Sequence, residues 1–518
     1  MLDDVHEECG IAAVYIKKNN NAANKALFYL YRLLLNLQNR GQLSAGITTY
    51  NEKRRQILDT HKNLGHVNEV FHTSDKEKSF QIFKRYVGNK GIGHVRYATS
   101  GTEEKGVAQP FERHHGRKWK WFSFCFNGTL ANYDQLKKDI LASEQYHLTY
   151  DNDTEILMHY ISQELLLGGK DKKNYDLQKV FSDLAKKLDG CYNIAFMNAD
   201  GEIVVARDPY GFRPVVYGFT EDKNIFMAAS ESNALANCGI KHIKPLQPGY
   251  MIHIKNDTVK IKKFAECKQK SHCMFEWVYF SNVSSILDNK SVYITRSRLG
   301  KELAKMETEK INEDYIVVPV PDTAKASGDS YAYELGLPSR EGIVRNRYVG
   351  RTFIEGSNRY DKVQNKYTVL RRVLRNKKVL LVDDSIVRGN TTKQLVKYLK
   401  EVGCAKEVHL RISCPPIRGP CFYGIDMSTV AELLVPNYEK KQVSGDISKK
   451  TCDAIAKDVG ADSLIYQSIG GLIRSIRLPA TDLCTACITG NYPTRCGKIK
   501  FKKAWKDYNS LLKNHKNR

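Results

Sequence analysis

The second half of the chain alternates short apolar runs with helical patterns. Residues Tyr315–Val320 and Val379–Val382 are continuous apolar runs, as expected of strands buried on both faces of a parallel sheet. Apolar residues recur at helical spacing in Gly300–Glu307 and Thr392–Val402. This alternation predicts an α/β domain with a doubly wound parallel sheet.

The first half has a different pattern and predicts an α+β domain. Gly10–Ile16, Ile225–Ala229 and Tyr250–Ile254 are rich in strand-forming residues, whereas Ala22–Gln38 has the apolar spacing of a helix. The charged, loop-like segment Phe264–His272 separates this pattern from the parallel-sheet pattern. We therefore expect a domain boundary near that segment.

Length and composition exclude several classes of protein. The chain has 518 residues, of which 42% are hydrophobic, and this indicates two or three globular domains. No run of eighteen apolar residues appears, so we expect no membrane span. The acidic first residues resemble neither a secretory signal nor a mitochondrial leader, and we expect a cytoplasmic protein.

Charge and cysteine content narrow the picture further. The net charge of +24 is spread along the chain without a basic stripe interleaved with aromatic residues, so we expect no nucleic-acid partner. The thirteen cysteines are an odd number in a chain that we place in a reducing compartment. Most of them are expected to be buried small hydrophobic residues rather than disulfide partners.

A turn that suits a phosphate follows the apolar run Val379–Val382. Asp383 and Asp384 end the run, and the turn before the next helix contains Ser385, Arg388, Gly389, Asn390, Thr391 and Thr392. Backbone N–H groups at a helix N-terminus bind phosphate, and paired carboxylates accept hydrogen bonds from sugar hydroxyls, with or without Mg²⁺. An ordinary Asp-capped turn is the alternative, but two acids ending an apolar strand are costly without partners. The Walker A and Rossmann patterns are both missing.

A second loop, Pro319–Thr323, follows the other apolar run. Between the two loops the chain carries Arg347, Arg351 and Lys366. These cations could close over a phosphate group bound between the loops, whose charge needs stabilisation. Taken alone they would be a solvated basic loop, and only their place between two phosphate loops favours a functional role.

These two loops resemble those of type I phosphoribosyltransferases, which bind phosphoribosyl pyrophosphate (PRPP). In that family the loop matching Pro319–Thr323 wraps the pyrophosphate. The implied PRPP-binding residues are Asp322, Arg347, Arg351, Lys366, Asp383, Asp384, Ser385, Arg388, Gly389, Asn390 and Thr391. The implied Mg²⁺ contacts are Thr323, Asp383 and Asp384.

The first half resembles class II glutamine amidotransferases, which are Ntn hydrolases. The resemblance rests on Cys9-Gly10-Ile11 and on four later strings, namely Arg40–Gly46, Gly93–Thr99, Phe126–Thr129 and Asp151–Glu155. It implies an αββα sandwich. It also implies that residues 1–8 are a propeptide removed autocatalytically, which makes Cys9 the first residue. The free α-amino group, with an ordinary pKa of about 7.7–8.0, then acts as base for the thiol.

The same resemblance assigns roles to individual residues of the first half. Arg96 would bind the α-carboxylate of glutamine as a bidentate fork, and Asp153 would take its α-ammonium group. Thr99 belongs to the same glutamine-binding set. Cys9 would be the catalytic nucleophile, while Asn127 and the Gly128 N–H would form the oxyanion hole.

Four cysteines form a candidate metal site. Cys273 and Cys421 stand alone, and Cys484 and Cys487 form a Cys-x-x-Cys pair. Such a set binds one 4Fe–4S cluster or zinc, and packed thiols without metal are the alternative. All four contexts resemble ligand positions in a cluster-bearing, propeptide-bearing branch of glutamine PRPP amidotransferases. The resemblance therefore favours a structural 4Fe–4S cluster, with zinc or no metal as alternatives.

Together the strings resemble glutamine PRPP amidotransferases over nearly the whole chain. The implied reaction converts PRPP, glutamine and water into 5-phosphoribosylamine, pyrophosphate and glutamate, the first committed step of purine synthesis. The implied partners are purine nucleotides as feedback inhibitors and further copies of the chain in a homodimer or homotetramer. The implied domains are a propeptide (1–8), a glutaminase domain (9–260), a phosphoribosyltransferase domain (261–475) and a tail with cluster ligands (476–518).

Three other functions stay open at this point. A glucosamine-6-phosphate synthase shares the Cys9 domain, but the Asp383–Thr392 loop argues against its sugar-isomerase domains. A PRPP-sensing regulator would keep that loop without the glutaminase residues, which are intact here. A redox-sensing iron–sulfur protein would need only the four cysteines and leaves the other motifs unexplained.

Overall fold

The computed structural model describes residues 9–18, 24–97, 104–142, 144, 146–168, 175–346, 364–425, 427, 429–439 and 445–516. The predicted propeptide at 1–8 and three predicted site residues, Thr99, Arg347 and Arg351, lie outside these ranges. Strands are numbered in chain order below.

Two antiparallel sheets form the first half of the fold. The first sheet has the order β11-β9-β10-β1-β4-β2-β3 and the second has the order β13-β12-β8-β7-β6-β5. The strands of the first sheet are β1 (Gly10–Ile16), β2 (Ser44–Tyr50), β3 (Leu58–Leu64), β4 (Lys90–Arg96), β9 (Val216–Phe219), β10 (Ile225–Ala229) and β11 (Lys244–Pro245). Those of the second are β5 (Phe111–Arg113), β6 (Phe122–Leu130), β7 (Gly190–Asn198), β8 (Ile203–Arg207), β12 (Tyr250–Lys255) and β13 (Thr258–Lys263).

Helices cover the outer face of each sheet. The α-helices of this half are Ala26–Asn36, Val67–Val70, Lys76–Arg85, Tyr133–Leu141, Asp153–Gly168, Leu177–Lys187 and Ser232–Ala236, with 3₁₀ turns at Lys105–Val107 and Lys118–Lys120. Helix Ala26–Asn36 packs Leu30 and Leu34 on the first sheet, and helix Leu177–Lys187 packs Phe181 on the second. A third apolar cluster fills the space between the sheets. This arrangement confirms the predicted αββα sandwich.

A four-stranded parallel sheet forms the centre of the second half. Its order is β17-β20-β21-β22, with strands Tyr315–Pro319, Lys378–Asp383, Glu407–Ile412 and Ser463–Tyr466. Successive residues of β17 belong to different apolar clusters, Ile316 to one and Val317 to the other, so both faces of the sheet are covered. The α-helices here are Val292–Ala304, Lys325–Glu334, Arg371–Leu374, Asn390–Glu401, Lys449–Val459 and Ile469–Ile476. The predicted doubly wound parallel sheet is confirmed.

Three short strand pairs and the tail complete the structure. The pairs are β14 (His272–Cys273) with β23 (Leu483–Cys484), β15 (Ile286–Leu287) with β16 (Lys290–Ser291), and β18 (Ile343–Arg345) with β19 (Tyr367–Val369). The remaining helices are Ala486–Thr489 and Arg495–Lys516, and shorter turns lie at Glu276–Phe280, Val435–Asn437 and Ala480–Asp482. No described helix is both long enough and apolar enough to cross a bilayer.

One predicted helix differs clearly from its observed position. Gly300–Glu307 was expected to be helical, whereas the helix runs over Val292–Ala304. It begins early because the Ser291 hydroxyl accepts the Ile294 N–H at 3.3 Å and caps the first turn. Glu307 lies beyond the helix end and binds the Arg411 guanidinium instead, at 2.6 and 2.8 Å.

Candidate active sites and cysteine cavity

Cys9 lies at the start of β1, next to the end of β4. Gly10 pairs with Val95 in this antiparallel ladder, and Arg96 is the last residue of β4. The Cys9 carbonyl oxygen accepts a hydrogen bond from Arg40 Nε at 3.1 Å. Gly41 allows the Arg40 segment to approach, since a Cβ at this position would lie 2.7 Å from the Arg96 backbone.

Strand β6 carries the two residues predicted to form the oxyanion hole. The Asn127 side chain is buried, and its Nδ2 atom has no hydrogen-bond partner within the part of the chain that the structure describes. Gly128 follows with φ of +149°, and a Cβ there would lie 2.0 Å from the Cys191 carbonyl oxygen. An unpaired buried donor costs free energy, so a free amide beside an obligatory glycine marks a place where a ligand oxygen is expected.

The same strand lies close to Cys9. Burial raises the pKa of the Cys125 thiol well above its ordinary value, and the nearby Cys9 thiol adds to the shift. Cys125 is two residues before Asn127, and residues at this spacing point to the same face of a strand. The sequence prediction that Cys9 and Asn127 share one site is consistent with this proximity.

Arg96 and Asp153 provide opposite charges in the same region. Arg96 is buried at the end of β4, and Asp153 lies in the first turn of helix Asp153–Gly168. Desolvation raises the pKa of Asp153 to about 6, although backbone N–H groups and the Arg96 charge partly offset that shift. A desolvated carboxylate of this kind would be stabilised by a cationic group of a bound ligand.

The two predicted phosphate loops meet at the carboxyl edge of the parallel sheet. Pro319 pairs with Val382 in neighbouring strands, so the loops that follow them emerge side by side. The Thr323 hydroxyl donates to Asp384 Oδ2, and the Ser385 hydroxyl donates to Asp384 Oδ1 at 2.9 Å. The structure therefore brings Thr323 into contact with the acidic pair.

The turn after Asp384 leads into a helix N-terminus. Gly389 caps the helix Asn390–Glu401 with φ of +86°, a conformation that glycine adopts without strain. Asn390 and Thr391 form the first turn, where N–H groups lack partners within the helix. Arg388 donates to Glu432 Oε2 at 3.1 Å, which holds this guanidinium beside the turn.

The hairpin of β18 and β19 stands over the Asp322 loop. Arg345 Nη1 lies 3.5 Å from Asp322 Oδ2, and the Asn346 N–H donates to the Lys366 carbonyl oxygen at 3.0 Å. The Lys366 ammonium group lies 5.1 Å from the centre of the Tyr367 ring. Lys366 thus belongs to the hairpin that brackets residues 347–363, where the predicted Arg347 and Arg351 are found in the sequence.

All four predicted cluster cysteines line one small cavity. Cys273 and Cys484 face each other in the register of β14 and β23, and the Tyr423 N–H donates to Cys421 Sγ at 3.4 Å. Cys487 lies in the turn Ala486–Thr489. The rest of the lining includes the aromatic residues Phe212, Tyr423 and Tyr492.

Three of the thiols that line this cavity have raised pKa values. Burial raises the pKa of Cys273, Cys484 and Cys487, which is typical of thiols that need a cation before they ionise. In the ranges that the structure covers, no three His, Cys, Asp or Glu side chains are grouped closely enough to hold a single metal ion. Cysteine thiolates are ligands of both iron–sulfur clusters and zinc, so this donor set fits either group.

A buried ionic network near Cys9 was not predicted from the sequence. Arg40 donates to Glu231 Oε1 at 2.8 Å and to Glu276 Oε1 at 2.9 Å. Arg213 donates to Glu276 Oε1 at 3.1 Å. The members of this network are far apart in the chain, so no local sequence pattern could have indicated it. In the sequence, only arginines within motifs, such as Arg40, could be chosen as candidates for buried charges.

Comparisons with known proteins show the family to which the chain belongs. A family model described as a glutamine amidotransferase domain matches residues 94–237, and one described as a phosphoribosyl transferase domain matches residues 282–420. A relative from Methanocaldococcus jannaschii named amidophosphoribosyltransferase is 37% identical over 514 residues, covering 96% of this chain and 99% of the relative. The chain belongs to the amidophosphoribosyltransferase family.

Other amidophosphoribosyltransferases support the same assignment. The relative of that name from Bacillus subtilis is 34% identical and covers 95% of each chain. A solved structure of the B. subtilis glutamine PRPP amidotransferase complexed with ADP and GMP matches with a TM-score of 0.78 at 33% identity, over 94% of this chain and 98% of that one. Another, described as the allosteric regulatory enzyme of purine biosynthesis, has a TM-score of 0.79 at 33% identity, over 95% and 99%.

Family membership confirms the predicted activity. The chain is an amidophosphoribosyltransferase-family enzyme that uses glutamine as nitrogen donor and makes 5-phosphoribosylamine in the first step of purine biosynthesis. The match to a phosphoribosyl transferase domain argues against a glucosamine-6-phosphate synthase. The family resemblance that the sequence motifs indicated is confirmed over nearly the full length of the chain.

Proposed function

We propose that the Cys9 thiol attacks the side-chain amide carbon of glutamine. The attack gives a tetrahedral intermediate that collapses to a γ-glutamyl thioester and ammonia, and water then hydrolyses the thioester to glutamate and the free thiol. Asn127 Nδ2 and the Gly128 N–H receive the oxyanion. The observation that carries this proposal is the buried Asn127 amide without a partner in the described ranges, because a preorganised donor stabilises charge where it develops.

The base for this step is the α-amino group of Cys9 after removal of residues 1–8. A free α-amino group has an ordinary pKa of about 7.7–8.0, so a substantial fraction is neutral near pH 7.5 and can accept the thiol proton. The same group then returns the proton to the departing ammonia. Arg40 donates to the carbonyl oxygen of Cys9.

Glutamine is bound by Arg96, Asp153 and Thr99 in this proposal. The Arg96 fork takes the α-carboxylate, and Asp153 takes the α-ammonium group. The pKa of about 6 at Asp153 supports the assignment, because the site leaves a desolvated carboxyl group that an ammonium group would stabilise. Glutamine would therefore bring a carboxylate to Arg96 and an ammonium group to Asp153.

PRPP is bound at the carboxyl edge of the parallel sheet. The proposed contacts are Asp322, Arg347, Arg351, Lys366, Asp383, Asp384, Ser385, Arg388, Gly389, Asn390 and Thr391. The helix N-terminus after Gly389 suits the 5-phosphate, and Asp383 and Asp384 suit the ribose hydroxyls. Ammonia from the first site passes inside the protein to C1 of PRPP, where the C–N bond forms as the bond to pyrophosphate breaks.

Mg²⁺ fits the oxygen donors that the structure brings together beside this site. Thr323 contacts Asp384, and the backbone N–H of Asp384 donates to Asp383 Oδ1 at 2.9 Å, so one hydroxyl and two carboxyl groups share one edge. Mg²⁺ prefers such oxygen ligands and, when bound, would neutralise charge on the pyrophosphate. The residues present are therefore suitable for Mg²⁺ as a cofactor.

The four-cysteine cavity is proposed to hold a 4Fe–4S cluster with a structural role. Cys273, Cys421, Cys484 and Cys487 come from three separate segments, so a cluster would join the tail to the rest of the enzyme. Zinc, which four thiolates also bind, and packed thiols without metal are the alternatives. Iron and acid-labile sulfide in anaerobically purified protein should each be about four per chain, and Cys487→Ser should lower both. About one zinc per chain, or neither element, would overturn the cluster.

The remaining assignments follow from the family and are proposals for this chain. The domains are a propeptide at 1–8, a glutaminase domain at 9–260, a phosphoribosyltransferase domain at 261–475 and a tail at 476–518. Purine nucleotides act as feedback inhibitors, as the ADP and GMP in the B. subtilis relative suggest. The enzyme is cytoplasmic and works as a homodimer or homotetramer.

The Cys9→Ala variant tests whether glutamine hydrolysis and the amination of PRPP take place at separate sites. Glutamine-dependent synthesis of 5-phosphoribosylamine should be lost, whereas synthesis from free ammonia should continue near the wild-type rate. Cys404→Ala, which removes a half-buried thiol just after the helix Asn390–Glu401, is the matched control and should retain both activities. Loss of both activities in Cys9→Ala, or retention of both, would refute the proposed role of Cys9.

A further inference from the structure

Glu276 connects the segment that follows Cys273 to two arginines of the glutaminase half. It lies in the turn Glu276–Phe280, three residues after Cys273, and its side chain is 2% exposed. Glu276 Oε1 accepts from Arg40 at 2.9 Å and from Arg213 at 3.1 Å. Its other oxygen, Oε2, accepts from Arg40 at 3.2 Å and from the Ser281 hydroxyl at 2.6 Å. The carboxylate is thus fully hydrogen-bonded.

On one side, this network reaches the backbone of the nucleophile. Arg40 donates through Nε to the Cys9 carbonyl oxygen and through Nη1 to Glu231. The guanidinium is planar and presents its donors in a fixed geometry, so its position is determined by the carboxylates it binds. Glu276, by binding two of its nitrogens, therefore influences where the Cys9 carbonyl is held.

On the other side, the network reaches the glycine of the oxyanion hole. Arg213 Nη2 donates to the Gly424 carbonyl oxygen at 2.5 Å. A Cβ placed on Gly424, which has φ of +101°, would lie 3.7 Å from the Gly128 Cα atom. Gly424 therefore stands against Gly128, and it belongs to the loop that also carries Cys421.

The charges of the network balance inside the protein. Two arginines, Arg40 and Arg213, face two glutamates, Glu231 and Glu276, and the four side chains are at most 2% exposed. Removing one carboxylate leaves an uncompensated buried cation, which forces rearrangement around it. The groups that the arginines bind include the Cys9 carbonyl and the Gly424 loop, which such a rearrangement would displace.

We propose that Glu276 is a positioning residue for the glutaminase reaction, through which the second half of the chain fixes both Cys9 and Gly128. It acts on the nucleophile through Arg40 and on the oxyanion hole through Arg213 and Gly424. A displacement on the order of 1 Å at reacting groups costs about 10²-fold in rate. The inference deepens the proposed function and rests on the proposed role of Cys9, which Cys9→Ala tests separately.

The test compares the two nitrogen donors in the full-length holoenzyme. Glu276→Gln keeps the shape of the side chain and removes its charge. We expect its glutamine-dependent kcat to fall by about 10²-fold with little change in the KM for glutamine, while ammonia-dependent synthesis stays within about twofold. Alkylation of Cys9 by a diazoketone analogue of glutamine should slow in parallel, since it needs the same placement of the thiol.

A matched variant separates positioning from loss of stability. Glu307 also binds a buried arginine, Arg411, with side-chain exposures of 4% and 0%, but this pair lies within the second half, beside the parallel sheet. Glu307→Gln should lower the melting temperature and reduce both activities together. Equal losses of both activities in Glu276→Gln would assign it the same structural role and overturn the proposal.

A second variant keeps the proposal testable if Glu276→Gln folds poorly. Arg213→Lys preserves the charge balance, but a single ammonium group cannot reproduce the fork between Glu276 and Gly424. We expect a selective loss of glutamine-dependent activity, with the metal content of the protein unchanged. An unchanged glutamine-dependent rate, or an equal fall with both nitrogen donors, would contradict positioning through Arg213.

Discussion

Replacing Gly128 with alanine perturbs the oxyanion hole by a calculable amount. The added Cβ would lie 2.0 Å from the Cys191 carbonyl oxygen and 2.6 Å from its carbon. Carbon–oxygen contacts between neighbouring strands are normally about 3.3–3.6 Å. Strands β6 and β7 must therefore separate locally by roughly 1 Å or more. The backbone at residue 128 also has φ of +149°, which an L side chain rarely adopts.

This displacement should act on the rate rather than on substrate binding. A misplacement of about 1 Å costs on the order of 10²-fold, and loss of one oxyanion-hole donor costs about 10²–10³-fold in kcat. We therefore expect glutamine-dependent kcat of Gly128→Ala to fall by about 10²–10³-fold. The PRPP site lies at the edge of a separate sheet, so ammonia-dependent synthesis should stay within about threefold of wild type.

The assay is the formation of 5-phosphoribosylamine with glutamine or with ammonia as nitrogen donor. Gly116→Ala is the matched control, because a Cβ at Gly116 would meet nothing within 4 Å, and both of its rates should be unchanged. A Gly128→Ala enzyme with near-normal glutamine-dependent kcat would refute the assignment of Gly128. Equal loss with both donors would show that the strand shift propagates beyond the glutaminase site.

Three further predictions concern Asp384 and Asp153. Asp384→Asn should slow both glutamine- and ammonia-dependent synthesis, while Cys9 is still alkylated by a glutamine-like electrophile; an unaffected ammonia-dependent rate would remove Asp384 from the PRPP site. Because desolvation raises the pKa of Asp153 to about 6, its charge is lost as pH falls through 6, so the KM for glutamine should rise below that pH. The pKa of Asp153 is higher in the folded protein than its ordinary value of 3.8, so its contribution to stability is fully present below pH 3.8. That contribution is lost as the pH rises through 6. Asp153→Asn should therefore raise the Tm at pH 7.5 but not near pH 4; a flat KM profile or an unchanged Tm would contradict this.

The strands and the positions of the loops after them could be predicted because their signals are local. The apolar run Val379–Val382 lies within the observed strand Lys378–Asp383, and Gly10–Ile16 is observed with the predicted bounds. The contact between Thr323 and Asp384 then follows from parallel neighbours, whose carboxyl ends meet at one edge of the sheet. An apolar run followed by polar residues is enough to predict this part of the fold.

The network around Glu276 could not be predicted in the same way. Its members come from four segments of the chain, and each carboxylate alone is indistinguishable from a solvated surface residue in the sequence. Only folding shows that Glu231 and Glu276 lose their water and must share two guanidinium groups. The paired register of Cys273 and Cys484 is equally non-local, and the family resemblance indicated only that the two cysteines belong to one ligand set.

The pairing of β14 with β23 has a consequence for the order of events during synthesis. It joins His272–Cys273, near the middle of the sequence, to Leu483–Cys484 in the tail. The cavity wall therefore stays open while the ribosome completes the last segment, although the αββα sandwich has already emerged. A message truncated before codon 483 would give a product with half its cavity thiols missing and an uncovered apolar surface, which is a ready signal for proteolytic removal.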